Sequence, residues 1–194
     1  MTLGAKEKIL NAAEALISVN GYHGTGTNAI IAEAGVSKGS FFYHFPDKAS
    51  LLRALLPRYF EQAHWEPLQV ALQEKAHPRD ALLLYLDQLE DWQLRSGHAG
   101  GCLLGNLSLE LSDSDDGLRE VAMELFERWR EALESMLLEV PTTMPVPQLS
   151  VLVIALIEGV TMTTRVARDP DRTRLEFEAC RALLRQCIER PSIP

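Results

Sequence analysis

The sequence predicts an all-α protein of about nine helices. Apolar residues recur at helical spacing, as Ile9, Ala13 and Ile17 do near the start. No segment shows the apolar–polar alternation of a strand, and no internal repeat is found. Glycine and proline gather between the periodic segments, in Ser96–Gly101 and in Pro141–Pro147, where they favour loops.

Two very short helices joined by a glycine turn follow the N-terminal helix, in the run GYHGTGTNAIIAEAGVSKGSFFYHFPD. We expect Thr27 to cap the first of them, and Gly35 tolerates positive φ at the turn. Ser37 can cap the second, which should end at Phe45 because a proline follows. Two helices joined in this way form a helix-turn-helix, whose second helix enters the DNA major groove.

The faces of these two helices differ in character. Phe41 and Phe45 share one side of the second helix, which should face inward with the apolar residues of the first. The other side is left for solvent or a ligand. It carries hydroxyl, basic and aromatic groups, which are common partners of DNA phosphates and base edges. A solvated helical hairpin in an unrelated protein is the alternative.

Residues 6 to 55 resemble the N-terminal domain of the TetR family of bacterial transcriptional repressors, through KEKILNAAEALISVNGYHGTGTNAIIAEAGVSKGSFFYHFPDKASLL. The resemblance implies a three-helix DNA-binding domain at residues 1–46. It also implies a helical effector-binding and dimerisation domain at residues 47–194. The last two helices would form a homodimer that binds a near-palindromic operator in double-stranded DNA.

By the same resemblance, nine residues occupy DNA-contact positions: Thr27, Ser37, Lys38, Gly39, Ser40, Phe42, Tyr43, His44 and Lys48. Phe42 stands where a tyrosine is common, so a hydroxyl contact to phosphate would be lost there. Two of these residues have simpler alternatives. Lys48 could pair with Asp47 or lie in solvent, and His44 could merely complement the helix dipole.

The net charge of −8 is unevenly distributed. Residues 1–60 hold six basic and four acidic side chains and therefore carry +2, which leaves −10 for residues 61–194. Because phosphate binding needs only local positive charge, this asymmetry favours DNA contact confined to the N-terminal domain.

Further helices are expected along the rest of the chain. One should begin at Asp47 and be kinked or ended at Pro57, for which an ordinary loop is the alternative. The others are expected at about Pro78–Arg95, Cys102–Leu111, Gly117–Glu139, Gln148–Ala167 and Arg172–Glu189. The helix from Gln148 is apolar on most sides, so we expect one face to pack on its own domain and another on a second subunit. A monomer with a thick core is the alternative.

Cys102 is the sharpest candidate for a sensor residue. It begins a predicted helix, whose N-terminus should stabilise a thiolate. The stretch GGCLLGNLSLEL resembles one in a TetR subgroup that includes regulators responding to electrophiles, oxidants and acrylate-like compounds. A buried packing role is the alternative for this cysteine.

Large and polar side chains suited to an effector pocket are predicted in the second domain. With Cys102, the candidates are Asn106, Trp65, Trp92, Phe126, Trp129, Met162 and Arg165. The aromatic residues and Met162 were expected on inner helix faces or near them, where plain core packing is the alternative. No cofactor or metal site is indicated by the pattern of histidines and cysteines.

These observations predict a cytoplasmic repressor, not an enzyme, that leaves its operator when a small-molecule effector binds. A thiol-based electrophile or oxidant sensor acting through Cys102 is the alternative, and activation instead of repression stays open. No run of about 20 apolar residues exists, so no membrane partner is expected. The N-terminus also lacks the pattern of a signal peptide.

Overall fold

The computed structural model describes residues 3–98, 100–138 and 140–188. This part of the chain holds ten α-helices and one π-helical turn. The helices are α1 (Ala5–Gly24), α2 (Thr27–Ala34), α3 (Lys38–His44), α4 (Lys48–Phe60), α5 (Glu66–Glu74), α6 (Pro78–Arg95), α7 (Leu103–Leu111), α8 (Asp116–Leu137), α9 (Val146–Ala167) and α10 (Pro170–Cys187).

The π-helical turn, Glu61–Trp65, joins α4 to α5 without a break. With the turn and its two flanking helices counted as one, these described residues form nine helices, and the all-α prediction is confirmed. A bridge between Thr142 and Ile188 is the extended pairing found among them.

The chain divides into two compact units. The first runs to Glu61 and includes Cys102–Leu125. In it, α1 packs against α2, α3, α4 and α7. Its core is built from the buried apolar faces of these helices: Ile9, Leu10, Ile17, Ile30, Phe41, Phe45, Leu51, Leu52, Leu55, Leu104 and Leu107. The three N-terminal helices thus bury most of the residues that the sequence placed on their inner faces, whereas Leu16, Ile31 and Val36 are half-buried.

The second unit comprises Gln62–Gly101 and the residues from Phe126 onward. In it, α6 packs against α5 and α10, and α10 packs against α9. Tyr85, Trp129 and Phe177 are among its largest fully buried side chains. A charged contact also joins two helices, because the Arg181 guanidinium on α10 lies 2.6 Å from the Glu90 carboxylate on α6.

Helix ends agree closely with the capping pattern of the sequence. The Ser37 hydroxyl accepts the Ser40 N–H at 3.1 Å, and Gly35 ends α2 with φ 61°. Thr27 is an exception, because Gly26 is the cap and Thr27 is already helical. The Gly26 carbonyl accepts the N–H groups of residues 29 and 30, which starts α2 one residue earlier than predicted.

The expected boundary at Pro57 is wrong. Helix α4 continues through this proline to Phe60, and the departure from α-helical geometry follows it, in the π-helical turn Glu61–Trp65. Two other predicted helix ends, Glu139 and Glu189, lie outside the described residues.

Helix α9, Val146–Ala167, is long and apolar enough to cross a membrane by length and composition. The sequence had led us to expect no such segment. Among the described residues α9 is the one helix with this length and composition, and 33% of its most apolar stretch is buried. A single such helix is a weak indication of a membrane span, since core helices of soluble proteins have the same character.

Candidate nucleic-acid interface and effector residues

Helix α3 is anchored by one aromatic face and exposes another. Phe41 and Phe45 are buried, with their ring centroids 6.3 Å apart. Tyr43 is 84% exposed and Phe42 41% exposed. Burying the first pair fixes the helix on its unit, so the second pair is held outward on a rigid support.

The exposed side of α3 is polar and basic at its start. Ser37, Lys38 and Gly39 are all exposed, and Ser40 is half-buried. The Lys38 ammonium lies 5.9 Å from the centre of the Phe42 ring, which places positive charge beside an aromatic face. This combination suits a phosphate backbone with adjoining sugar and base edges.

His44 and Thr27 occupy the margins of this surface, and both are half-buried. The His44 ring meets the Tyr43 ring edge-on, with centroids 5.1 Å apart. His44 ends α3, as predicted, whereas Thr27 lies on α2.

Lys48 adopts neither of the simpler arrangements considered for it. Its ammonium donates to the carbonyls of Tyr22 and Thr25, at 2.8 and 3.0 Å, and lies 4.0 Å from the centre of the Tyr22 ring. Burial lowers the pKa of Lys48, while the nearby Glu110 carboxylate acts in the opposite direction. The side chain therefore closes the end of α1, which the sequence did not suggest.

Sequence reasoning also missed Glu110, on α7. Its carboxylate accepts the backbone N–H groups of Tyr22 and His23 at 2.9 and 2.7 Å. A separation of 88 residues leaves no local pattern that would reveal this contact. The glycine at position 21 was the available hint, because glycine permits sharp backbone turns. In the structure it takes φ 76°.

Cys102 is the N-cap residue of α7, close to the start predicted for that helix. Its Sγ accepts the N–H of Gly105 at 3.5 Å, and the residue is 4% exposed. Asn106 lies one turn further on and is half-buried. The beginning of α7 is also attached to α4, because the Leu103 N–H donates to the Tyr59 hydroxyl at 3.1 Å.

The second unit gathers several of the predicted aromatic residues around His64. The buried Trp129 ring lies 4.1 Å from the His64 ring and 6.4 Å from that of Phe126. The His64 Nδ1 is 3.0 Å from the Tyr85 hydroxyl. Burial lowers the pKa of His64 to about 3, so this imidazole is neutral at physiological pH.

The remaining effector candidates separate into two groups. Trp65 is half-buried beneath the Arg128 guanidinium, 4.2 Å from its ring centre, and Arg165 is half-buried on α9. Trp92 and Met162 are 37% and 55% exposed, so they lie beside the inner faces of their helices and not on them. Each directly neighbours a buried residue, and one helical step of about 100° carries its side chain off the buried stripe.

The paired short helices and the exposed basic and aromatic α3 define a helix-turn-helix DNA-binding protein. Residues 9–55 match the family model for bacterial regulatory proteins of the tetR family. Residues 78–174 match that for the C-terminal domain of LmrA/YxaF-like transcriptional regulators. The chain belongs to the TetR family of bacterial transcriptional regulators.

Three proteins illustrate the relationship. A helix-turn-helix regulator from the lacX 3′ region of Lactococcus lactis subsp. lactis is 31% identical, over 89% of each chain. The Escherichia coli transcriptional repressor NemR is 31% identical, over 69% of this chain and 67% of its own. A TetR regulator structure from Chloroflexus aurantiacus J-10-FL has a TM-score of 0.83 at 26% identity, covering 95% of this chain and 96% of its own.

Proposed function

We propose that this regulator is a homodimeric repressor that holds a near-palindromic operator through α3 and releases it when a small-molecule effector binds. The exposed surface of α3 is the observation that carries this proposal. Tyr43 is 84% exposed although its neighbour Phe41 is fully buried. A large aromatic side chain held outward on an anchored helix gains little from water but can contact DNA.

DNA binding is assigned to residues 1–46 together with Lys48, and effector binding and dimerisation to residues 47–194. Within the interface, we assign Lys38 and Tyr43 to phosphate contact, and Ser37, Ser40 and His44 to the same face. Gly39 permits close approach of the backbone, and Phe42 offers an apolar contact. Thr27 completes the surface from α2.

We assign the dimer contact to α9 and α10. Several apolar side chains on these two helices are exposed in the single chain, namely Val151, Met162, Val166, Leu175 and Leu183. A two-fold pairing would cover them and present two copies of α3 to half-sites about one turn of DNA apart. Interface burial would also account for the exposed apolar surface of α9 without a membrane.

Selection of DNA from a random duplex pool tests the DNA-binding proposal directly. The purified protein should enrich a short near-palindrome and protect it in a footprint at a stated salt concentration. Lys38→Ala and Tyr43→Ala should abolish the footprint, whereas Lys75→Ala, which removes the same charge from an exposed residue of the second unit, should retain it. Failure to enrich any sequence, or equal binding by all four proteins, would contradict the assignment.

Effector release follows from a shift between two conformations, one of which presents α3 correctly to DNA. The effector side chains proposed for the second unit combine large rings with the cationic Arg165, which suits a partly apolar small molecule with a polar end. A library of such compounds should be tested against the operator complex. A compound that releases DNA and changes the tryptophan fluorescence would support binding in this unit, because it holds all three tryptophans, Trp65, Trp92 and Trp129.

A second candidate function is thiol-based sensing of an electrophile or oxidant through Cys102. Its Sγ accepts the Gly105 N–H at the start of α7, where partial positive charge favours a thiolate. Electrophile treatment should release the operator from the wild type but not from Cys102→Ser, which should still bind DNA. If the electrophile releases the operator from both proteins, a residue other than Cys102 carries the response.

Since its target is chromosomal DNA, we assign the protein to the cytoplasm. Repression is favoured over activation because the Escherichia coli relative NemR is a transcriptional repressor. A reporter with and without the regulator distinguishes the two.

A further inference from the structure

The turn between α1 and α2 is closed by a residue from a distant helix. Gly21 takes φ 76° and ψ 171°, which interrupts α1 and turns the next N–H groups away from the hydrogen bonds of the helix. The carboxylate of Glu110 accepts two of them, from Tyr22 and His23, at 2.9 and 2.7 Å. Hydrogen bonds of this kind to an ionised group are among the stronger ones in proteins.

The backbone at Gly21 is shaped to admit this carboxylate. A Cβ at this position would lie 3.0 Å from the Glu110 Oε2, which is tighter than nine in ten such contacts, so the carboxylate would have to shift by a few tenths of an ångström. The left-handed φ would strain any other residue as well. Both features favour glycine beside the acid.

A base closes the opposite side of the same turn. The Lys48 ammonium donates to the carbonyls of Tyr22 and Thr25, and the Thr25 hydroxyl donates to the Gly21 carbonyl at 2.8 Å. Residues 21–25 are therefore held by Glu110 through their N–H groups and by Lys48 through their carbonyls. Few backbone conformations satisfy both at once.

This turn sets where the helix-turn-helix begins. Gly26, which directly follows, is the N-cap of α2, and α2 leads through Gly35 to α3. An ion pair also joins α4 to the residue just before α8, because the Arg53 guanidinium is 3.6 Å from the Asp115 carboxylate. Within the first unit, the start of α2 is thus fixed relative to α7.

We propose that Glu110 is a positioning residue for DNA recognition, which fixes the turn at residues 21–25 and thereby the placement of α2 and α3. The proposal rests on the proposed DNA interface of α3. Glu110 touches no DNA in this role. It acts through the backbone that carries the contacting residues.

The sign of the effect separates positioning from simple electrostatics. Loss of a negative charge from the DNA-binding unit should, by charge alone, tighten binding to DNA. A positioning role predicts weaker binding to the specific site, because base contacts need α3 in the correct place. Non-specific binding depends mainly on phosphate charge and should be preserved or strengthened.

The matched variants are Glu110→Gln and Glu120→Gln. Each removes one carboxylate from the first unit, but Glu120 is exposed on α8. Glu110→Asp retains the charge on a side chain one methylene shorter, so it should keep part of the wild-type affinity for the operator. Affinity is measured for the operator selected by the wild type and for a random-sequence duplex, at temperatures where every variant is folded by circular dichroism.

Glu110→Gln should weaken operator binding by about tenfold or more while leaving the random duplex unaffected, so the specificity ratio falls. Glu120→Gln should bind the operator at least as tightly as the wild type. An unchanged specificity ratio in Glu110→Gln overturns the proposal, even if that variant is less stable.

Amide hydrogen exchange of the free protein provides an arm that needs no DNA. Exchange at residues 22–25 should accelerate in Glu110→Gln and not in Glu120→Gln, and continued protection would overturn the proposal. If the wild type selects no sequence, the proposed function fails, while the exchange result still decides whether Glu110 holds the turn.

Discussion

Lys38 provides a direct test of the DNA interface, because its charge can be removed without disturbing the fold. The residue is the first of α3 and is exposed, with its ammonium 5.9 Å from the centre of the Phe42 ring. An exposed cation near one ring contributes about 0.5–1 kcal/mol at most to stability. Lys38→Ala should therefore remain folded, and any change in operator binding should reflect a lost contact.

The magnitude follows from counterion release. Each phosphate neutralised by the protein contributes about 0.9 to the slope of log affinity against log salt concentration. A two-fold dimer presents Lys38 twice, so the variant should lower the absolute slope by roughly 1.8. The loss of affinity should be nearly the same for different duplex sequences, because a phosphate contact carries no base information.

Fluorescence anisotropy with the selected operator, from about 50 to 200 mM salt, measures this slope over a useful range. Lys75→Ala is the matched control, since it removes the same charge from an exposed position in the second unit. A slope for Lys38→Ala equal to that of the wild type would refute the assignment of this lysine to phosphate. A loss restricted to one base sequence would instead point to a base contact.

Three further predictions concern capping, pH and assembly. Ser37→Ala should lower the free energy of unfolding, measured in urea, by about 1 kcal/mol, because the helix cap is lost. Ser37→Asp keeps the cap and should keep the stability. Weaker operator binding by the aspartate variant would then reflect repulsion between its carboxylate and phosphate. Because burial lowers the pKa of His64 to about 3, the unfolded chain gains a proton that the folded chain lacks as pH falls below about 6.5. Stability should therefore drop by roughly 1.4 kcal/mol per unit of pH towards pH 3. His64→Gln should flatten the dependence measured between pH 4.5 and 7.5, and an unchanged slope would assign it to other groups. Val166→Glu and Leu175→Glu should give monomers by light scattering and lose operator binding, while Leu109→Glu, equally exposed but on α7, should remain dimeric.

Local rules accounted for most of the fold. Capping residues and prolines predicted both ends of α3 and α6 and the start of α10 within two residues, because these signals act through the first and last helical turns. Such rules locate a helix end only to within about one residue. By sequence alone, either Thr27 or Gly26 can be the N-cap of α2, and the structure has Gly26. Pro57 shows that one lost hydrogen bond need not end a helix that is buried on one side.

Long-range contacts were beyond sequence reasoning. The pattern around Lys48 indicated a solvent-exposed or DNA-facing lysine, but its ammonium meets carbonyls that lie 23 and 26 residues away. The exposure of Trp92 and Met162, which lie beside buried residues, was not predictable for a related reason. An aromatic or apolar residue beside a buried stripe belongs inside or outside according to the neighbouring helix, which periodicity does not specify.

Helix α7 connects the proposed thiol sensor to the proposed positioning residue. Cys102 caps its beginning and Glu110 lies near its end, and the helix of nine residues is about 13.5 Å long. A short, well-packed helix moves as a unit more readily than it bends. Chemistry at Cys102 that displaced α7 would therefore move the carboxylate of Glu110 away from the N–H groups of Tyr22 and His23. If α7 carries the signal, modification of Cys102 should accelerate amide exchange at residues 22–25 in the wild type but add nothing further in Glu110→Gln.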